Sequence, residues 1–139
     1  MASKEAIMCI RVTEESIFVA GCESNIRAYD IETGDTKLYE GHKGWIYDLQ
    51  VHEERLYSAC DDSIVIIWDV ESCRMLYKLV GHENGVTSIA FAFNDIYTGS
   101  FDHHVFCWDY PEIIDRVEEK EMMRAEDIET RQFETYWKV

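Results

Sequence analysis

His42, Ser58 and Asp62 are the residue types of a nucleophilic triad, in which a carboxylate orients an imidazole that takes the proton of a hydroxyl. The same chemistry recurs forty residues further on as His82, Thr98 and Asp102. A second group, His103 and His104 with Cys107, carries the donor atoms of a transition-metal site. Its spacing fits no zinc pattern, and in an extended segment neighbouring histidines point to opposite faces, so a turn residue followed by a strand residue accounts for the pair. There is no phosphate-cradling glycine loop and no H-E-x-x-H motif. Neither a metal nor a cofactor is expected.

Composition narrows the partners. The chain has 139 residues and a formal net charge of −15. That field repels phosphate backbones and anionic lipid heads, which disfavours direct nucleic-acid or membrane binding and favours a basic protein or peptide. No apolar run reaches the length of a membrane span, and the N-terminal residues lack the plan of a signal peptide, so the expected location is intracellular, cytoplasmic or nuclear. Five cysteines without a C-x-x-C pair fit a reducing compartment. Cys9, Cys60 and Cys107 fall in predicted strands, where a thiol acts as a small buried hydrophobe.

The elements that must position these residues are set by a repeat. Tyr29-Asp30, Trp68-Asp69 and Trp108-Asp109 come into register at offsets of 39 and 40, and Gly41-His42 recurs as Gly81-His82. In both later copies 26 positions separate the histidine from its tryptophan. Ile7, Ile10 and Val12 match Ile46, Leu49 and Val51, and then Val86, Ile89 and Phe91. Spacings of three and then two break strict alternation, so each first strand must absorb a bulge. Turns at residues 13–16, 52–55 and 92–95 lead to second strands at 17–21, 56–60 and 96–100, and third strands end at Tyr29, Trp68 and Trp108. Outer strands are expected at 36–39 and 75–79. After Asp109 the pattern stops: Tyr110-Pro111 suits a helix start, and residues 112–137 hold no glycine or proline but carry acid-first pairs four apart, Glu112 with Arg116, Asp127 with Arg131 and Glu134 with Lys138. This predicts a long acidic helix, continuous or broken near Ala125, with a thin apolar face, Ile114, Val117, Ala125 and Ile128, and with Phe133, Tyr136 and Trp137 gathered at its end, in place of a fourth strand in the third copy.

A forty-residue unit running from Gly-His to Trp-Asp resembles the WD40 repeat, one four-stranded blade of a β-propeller. The resemblance implies an all-β fold of three four-stranded antiparallel blades, at about residues 6–40, 41–80 and 81–110, followed by a C-terminal α-helix or tail at 111–139. It also implies a buried tetrad in each complete blade: His42, Ser58, Asp62 and Trp68 in the second, His82, Thr98, Asp102 and Trp108 in the third. In such a tetrad the hydroxyl is occupied by imidazole and indole, with no exposed nucleophile, so no catalytic residue is expected. The first copy departs from the pattern, with Glu23, Val19 and Tyr29 at the Asp, Ser and Trp positions and no Gly-His before it. Carried over from the family, the positions that face the top of the disc hold Trp45, Tyr47 and Asp61 in the second copy and Gly85, Thr87 and Phe101 in the third. Two aromatics beside an acid suit a peptide bearing Lys or Arg. Three blades leave raw radial faces, which further blades or a second copy would cover. The expected function is a non-catalytic protein-protein interaction scaffold or adaptor within a larger propeller or assembly. The alternative is a propeller segment of an RNA or chromatin factor.

Overall fold

The computed structural model describes residues 5–121 and 136–139. Three antiparallel four-stranded sheets follow one another along the chain. The first contains β1 (Ile7–Val12), β2 (Ser16–Gly21), β3 (Ile26–Asp30) and β4 (Thr36–Tyr39); the second β5 (Ile46–His52), β6 (Arg55–Cys60), β7 (Ile64–Asp69) and β8 (Met75–Val80). The third has β9 (Val86–Ala92), β10 (Asp95–Ser100) and β11 (Val105–Trp108), then helix α1 (Tyr110–Glu121), and finally β12 (Tyr136–Lys138).

The broken spacing of the first strands is a bulge in each blade: pairing slips between Ile7 and Cys9, between Ile46 and Asp48, and between Gly99 and Ser100 opposite β9. The hairpins at Glu53-Glu54 and Phe93-Asn94 have positive φ at both central residues, the turn whose twist matches that of the flanking strands. One consequence of the second bulge escaped the sequence reading. Asp48 accepts hydrogen bonds from its neighbour Leu49 N–H (2.9 Å), from Arg11 Nη2 in the first blade (2.8 Å) and from Ile89 N–H in the third (2.9 Å). One carboxylate thus ties all three blades.

The core lies between blades. Phe18, Ala28 and Tyr39 meet Ile46, Leu49 and Trp68 at the first junction. Tyr57, Ile67 and Tyr77 meet Val86, Ile89, Phe106 and Trp108 at the second. The middle blade is covered on both faces, which explains its continuous apolar run Ile64-Val65-Ile66-Ile67. The leading face of the first blade is bare: Ile7, Ile10 and Val12 are 52–63% exposed, whereas Ile46 and Leu49, at the matching positions, are fully buried.

The C-terminal region corrects the sequence reading. The helix does not run to residue 137, and the third blade does not lack its fourth strand. Asp109 Oδ1 caps the start of α1 by accepting Glu112 N–H at 3.0 Å, and Arg116 pairs with Glu112 at 3.1 Å. Tyr110, Ile113 and Val117, spaced three and four apart, bury one helical face in the second core, a fuller apolar stripe than Ile114 and Val117 alone would make. Residues 136–138 then return to pair with β11, Trp108 opposite Tyr136 and Phe106 opposite Lys138. Lys138 is therefore a strand residue, with Nζ 5.9 Å from the centre of the Phe106 ring. The pair Asp127 with Arg131, and Ala125, Ile128 and Phe133 of the expected helix face, lie outside the described residues.

Candidate functional site

Each complete blade joins its four tetrad positions in one chain of hydrogen bonds. In the second, Trp68 Nε1–H donates to Ser58 Oγ (2.8 Å), the serine hydroxyl bonds His42 Nε2 (2.5 Å), and His42 Nδ1 lies 2.9 Å from Asp62 Oδ2. In the third, Trp108 Nε1–H donates to Thr98 Oγ1 (2.9 Å), the hydroxyl bonds His82 Nε2 (2.7 Å), and His82 Nδ1 is 2.8 Å from Asp102 Oδ2. The tautomer follows from the acceptors: Nδ1 carries the proton toward the carboxylate and Nε2 accepts from the hydroxyl. The carboxylates also accept Lys43 N–H and Glu83 N–H, both at 3.0 Å, pinning the loop after each Gly-His. Gly41 lets the Trp68 ring and the Met75 methyl come close, since a Cβ there would meet them at 3.1 and 2.6 Å.

These groups resemble a triad in composition, not in access. Ser58 is fully buried and Thr98 1% exposed, so neither hydroxyl can meet a substrate. His42, Cys60 and Asp62 place donor atoms within 4.8 Å of one another. Both imidazole nitrogens are already engaged, and burial pushes the Cys60 thiol up to about 12, which keeps it protonated. His103 sits at φ 70 in the turn and His104 just before β11, 3.6 Å from Asp102 Oδ1, an arrangement that gathers no ligand set with Cys107. In the first blade a bidentate Arg27 to Glu23 pair (3.0 and 2.7 Å) stands near the tetrad's place, with Val19 and Tyr29 buried.

Burial acts to raise the pKa of both tetrad aspartates, but the imidazole and backbone N–H donors outweigh it. Asp62 is left below its ordinary value and Asp102 well below the usual carboxylate range. A depressed native pKa contributes stability that is complete above the unfolded-state value, about 3.9, and is lost as pH falls through the native values. Thermal melts followed by circular dichroism should therefore show Tm falling steeply below about pH 4, and Asp102→Asn should flatten that limb. An acid limb unchanged in the variant would contradict the assignment.

The other candidate residues lie at the opposite ends of the β5–β6 and β9–β10 strands from the hairpins. Tyr47 donates to Asp61 Oδ1 (3.0 Å), and its ring meets Phe101 edge-on at 5.5 Å. Gly85 is the floor of this group: a Cβ there would meet Asp61 Oδ1 at 2.8 Å and Phe101 Cδ2 at 3.2 Å, so glycine lets the two blades' loops touch. Burial and the bond to Asp61 both raise the Tyr47 hydroxyl's pKa, keeping it a donor. Trp45 belongs to the same rim through its carbonyl, which accepts Asp61 N–H at 2.8 Å. Its indole and the Phe101 ring are 52% and 51% exposed. Thr87 does not join the group; its hydroxyl turns back to Gly99 O at 3.2 Å.

Three sheets stacked through their faces, two of them carrying a buried His-Ser/Thr-Asp-Trp chain, make this an arc of β-propeller blades. The family model described as WD domain, G-beta repeat matches residues 35–69 and 73–109, and the chain belongs to that WD40 family. It is 24% identical over 110 residues to the human kinesin-like protein KIF21B, covering 76% of this chain and 7% of that protein. It is 27% identical over 103 residues to the mouse U3 small nucleolar RNA-interacting protein 2, covering 62% of this chain and 22% of the relative. The solved structure of U3-55K superposes with a TM-score of 0.74 at 25% identity, over 81% of this chain and 38% of that one. The chain thus spans less than a quarter of the length of these two relatives. WD40 domains generally act as non-catalytic protein-interaction scaffolds. Among the described residues no helix is long and apolar enough to cross a membrane.

Proposed function

We propose that this chain is a non-catalytic interaction module, a scaffold or adaptor piece of a larger propeller or assembly, which presents the Trp45, Tyr47, Asp61 and Phe101 rim to a basic peptide or domain. The observation that carries this reading is the exposure of two large aromatics around a tyrosine-aspartate pair. A Lys or Arg over an exposed aromatic face gains about 0.5–1 kcal/mol, and more when water is excluded. Asp61 supplies the counter-charge, and the net charge of −15 favours encounter with a cationic partner. The bare row Ile7, Ile10 and Val12 fits a further blade or a second copy, because its counterparts Ile46 and Leu49 are covered by the preceding blade.

Trp45→Ala should weaken binding of a Lys/Arg-containing peptide selected on the intact chain by about tenfold or more, since buried interface tryptophans commonly carry about 2 kcal/mol. Titration calorimetry reads this directly, and an affinity unchanged by the substitution would sink the proposal. A second reading, membership of an RNA-associated nuclear factor, draws on the relative named for a small nucleolar RNA. It is separated by the salt dependence of RNA retention, which is steep when phosphates are contacted and absent when the RNA is held by other subunits.

A further inference from the structure

At the end of the strands opposite Trp45, the junction between the first two blades holds an open groove of about 580 Å3. The repeat supplies its own comparison, because the equivalent junction one period on is occupied by larger side chains. Tyr110 stands there where this groove has Val70, Phe91 where it has Val51, Tyr57 where it has Phe18, and His52 where it has Thr13. Each is larger than its counterpart. His52 stacks on Phe91 at 4.3 Å, and Tyr110 lies edge-on to both at 5.2 and 5.8 Å. The Tyr110 hydroxyl donates to Glu53 Oε2 at 2.7 Å, and behind it α1 carries Ile113 and Val117 into the core. The groove remaining there is about 270 Å3.

In the open groove Glu14 holds the position of Glu53 and is joined by Glu15, Glu54, Asp69 and Glu71, on a lining that has no lysine or arginine among the described residues. Among the described residues, Lys37 lies 4.0 Å from Glu71, and Asp69 accepts from Ser72 and feels Arg74 and Arg55. Glu14, Glu15 and Glu54 remain an acidic rim above an apolar wall. We infer that this groove docks a basic amphipathic helix of a partner protein, entering as α1 enters the neighbouring junction, with an aromatic side chain over Val70 and Lys or Arg over Glu14, Glu15 and Glu54. The chain's own segment 122–135 has the wrong charge for it, with Glu126, Asp127, Glu129 and Glu134 against Arg124 and Arg131.

The probe is a fluorescein-labelled peptide that repeats Tyr110–Glu121 with every acid replaced by lysine, titrated by anisotropy against the full chain. Saturable binding is expected, weakened about tenfold or more by Val70→Tyr, which fills the groove as Tyr110 fills its neighbour and leaves net charge unchanged. Glu14→Gln combined with Glu54→Gln should weaken it as well, while Trp45→Ala at the other end should not. Diffuse attraction to an acidic protein predicts equal binding by the Val70→Tyr variant. That result, loss of binding on Trp45→Ala, or no saturable binding would overturn the inference.

Discussion

Trp68→Ala should cost about 3–5 kcal/mol, the range for removing a buried tryptophan from a close-packed core. Trp68 is fully buried, meets Tyr39 edge-on at 5.8 Å and supplies the N–H that ends the second blade's hydrogen-bond chain. A domain of this size has about 5–15 kcal/mol in all, so Tm should fall by about 10–20 °C, or the chain should not fold at 37 °C. Trp68→Phe separates the two contributions. It keeps most of the ring and leaves Ser58 Oγ without its donor, for which about 1–2 kcal/mol is expected. A phenylalanine variant as damaged as the alanine one would mean that the bond, not the buried ring, dominates.

The second large effect belongs to the C-terminal helix. Val117→Asp places a carboxylate at a fully buried position among the apolar side chains of the core shared by the second and third blades. An unpaired buried charge costs about 3–5 kcal/mol or is avoided by movement. Movement here means release of α1, and with it β12, the third blade's outer strand. Hydrogen exchange should therefore lose protection at Cys107, whose amide faces β12, while Leu56, Tyr57 and Ser58 in the second blade stay protected. Global loss of protection would show that the helix is integral to the whole arc; no loss would show that it does not hold the third blade.

The strands of the first two blades were legible in the sequence because their signals are local and repeated. The three-then-two spacing marked the bulges, the Trp-Asp pairs marked the third strands, and the fixed distance from His42 to Trp68 and from His82 to Trp108 marked which polar groups meet. The third blade's last strand was not legible, because a helical stretch separates it from β11 and three residues are too few to show a period. Asp48 was missed for a different reason. Its alignment toward Arg11 and Ile89 depends on how three blades stack around the bulge at Tyr47, and in sequence it is one more acid among many. Trp45, Tyr47, Asp61 and Phe101 could be placed on one rim by position, but the absence of Thr87 from the group and the role of Gly85 as its floor come from side-chain directions. Val70 and Tyr110 occupy the same place in the repeat, and only packing shows that one leaves a groove and the other fills it.

Residues that hold the blades are distinct from residues that bind, and one paired measurement tests that division. Melting temperature and affinity for a basic peptide selected on the intact chain should be determined for Ser58→Ala and Trp45→Ala. Ser58→Ala, which strands the buried His42 and Trp68 groups, should lose about 1–3 kcal/mol of stability yet bind normally below its melting temperature, while Trp45→Ala should melt normally and lose binding. A Ser58→Ala protein that keeps its stability but loses its activity, beside a Trp45→Ala protein that binds undiminished, would contradict it.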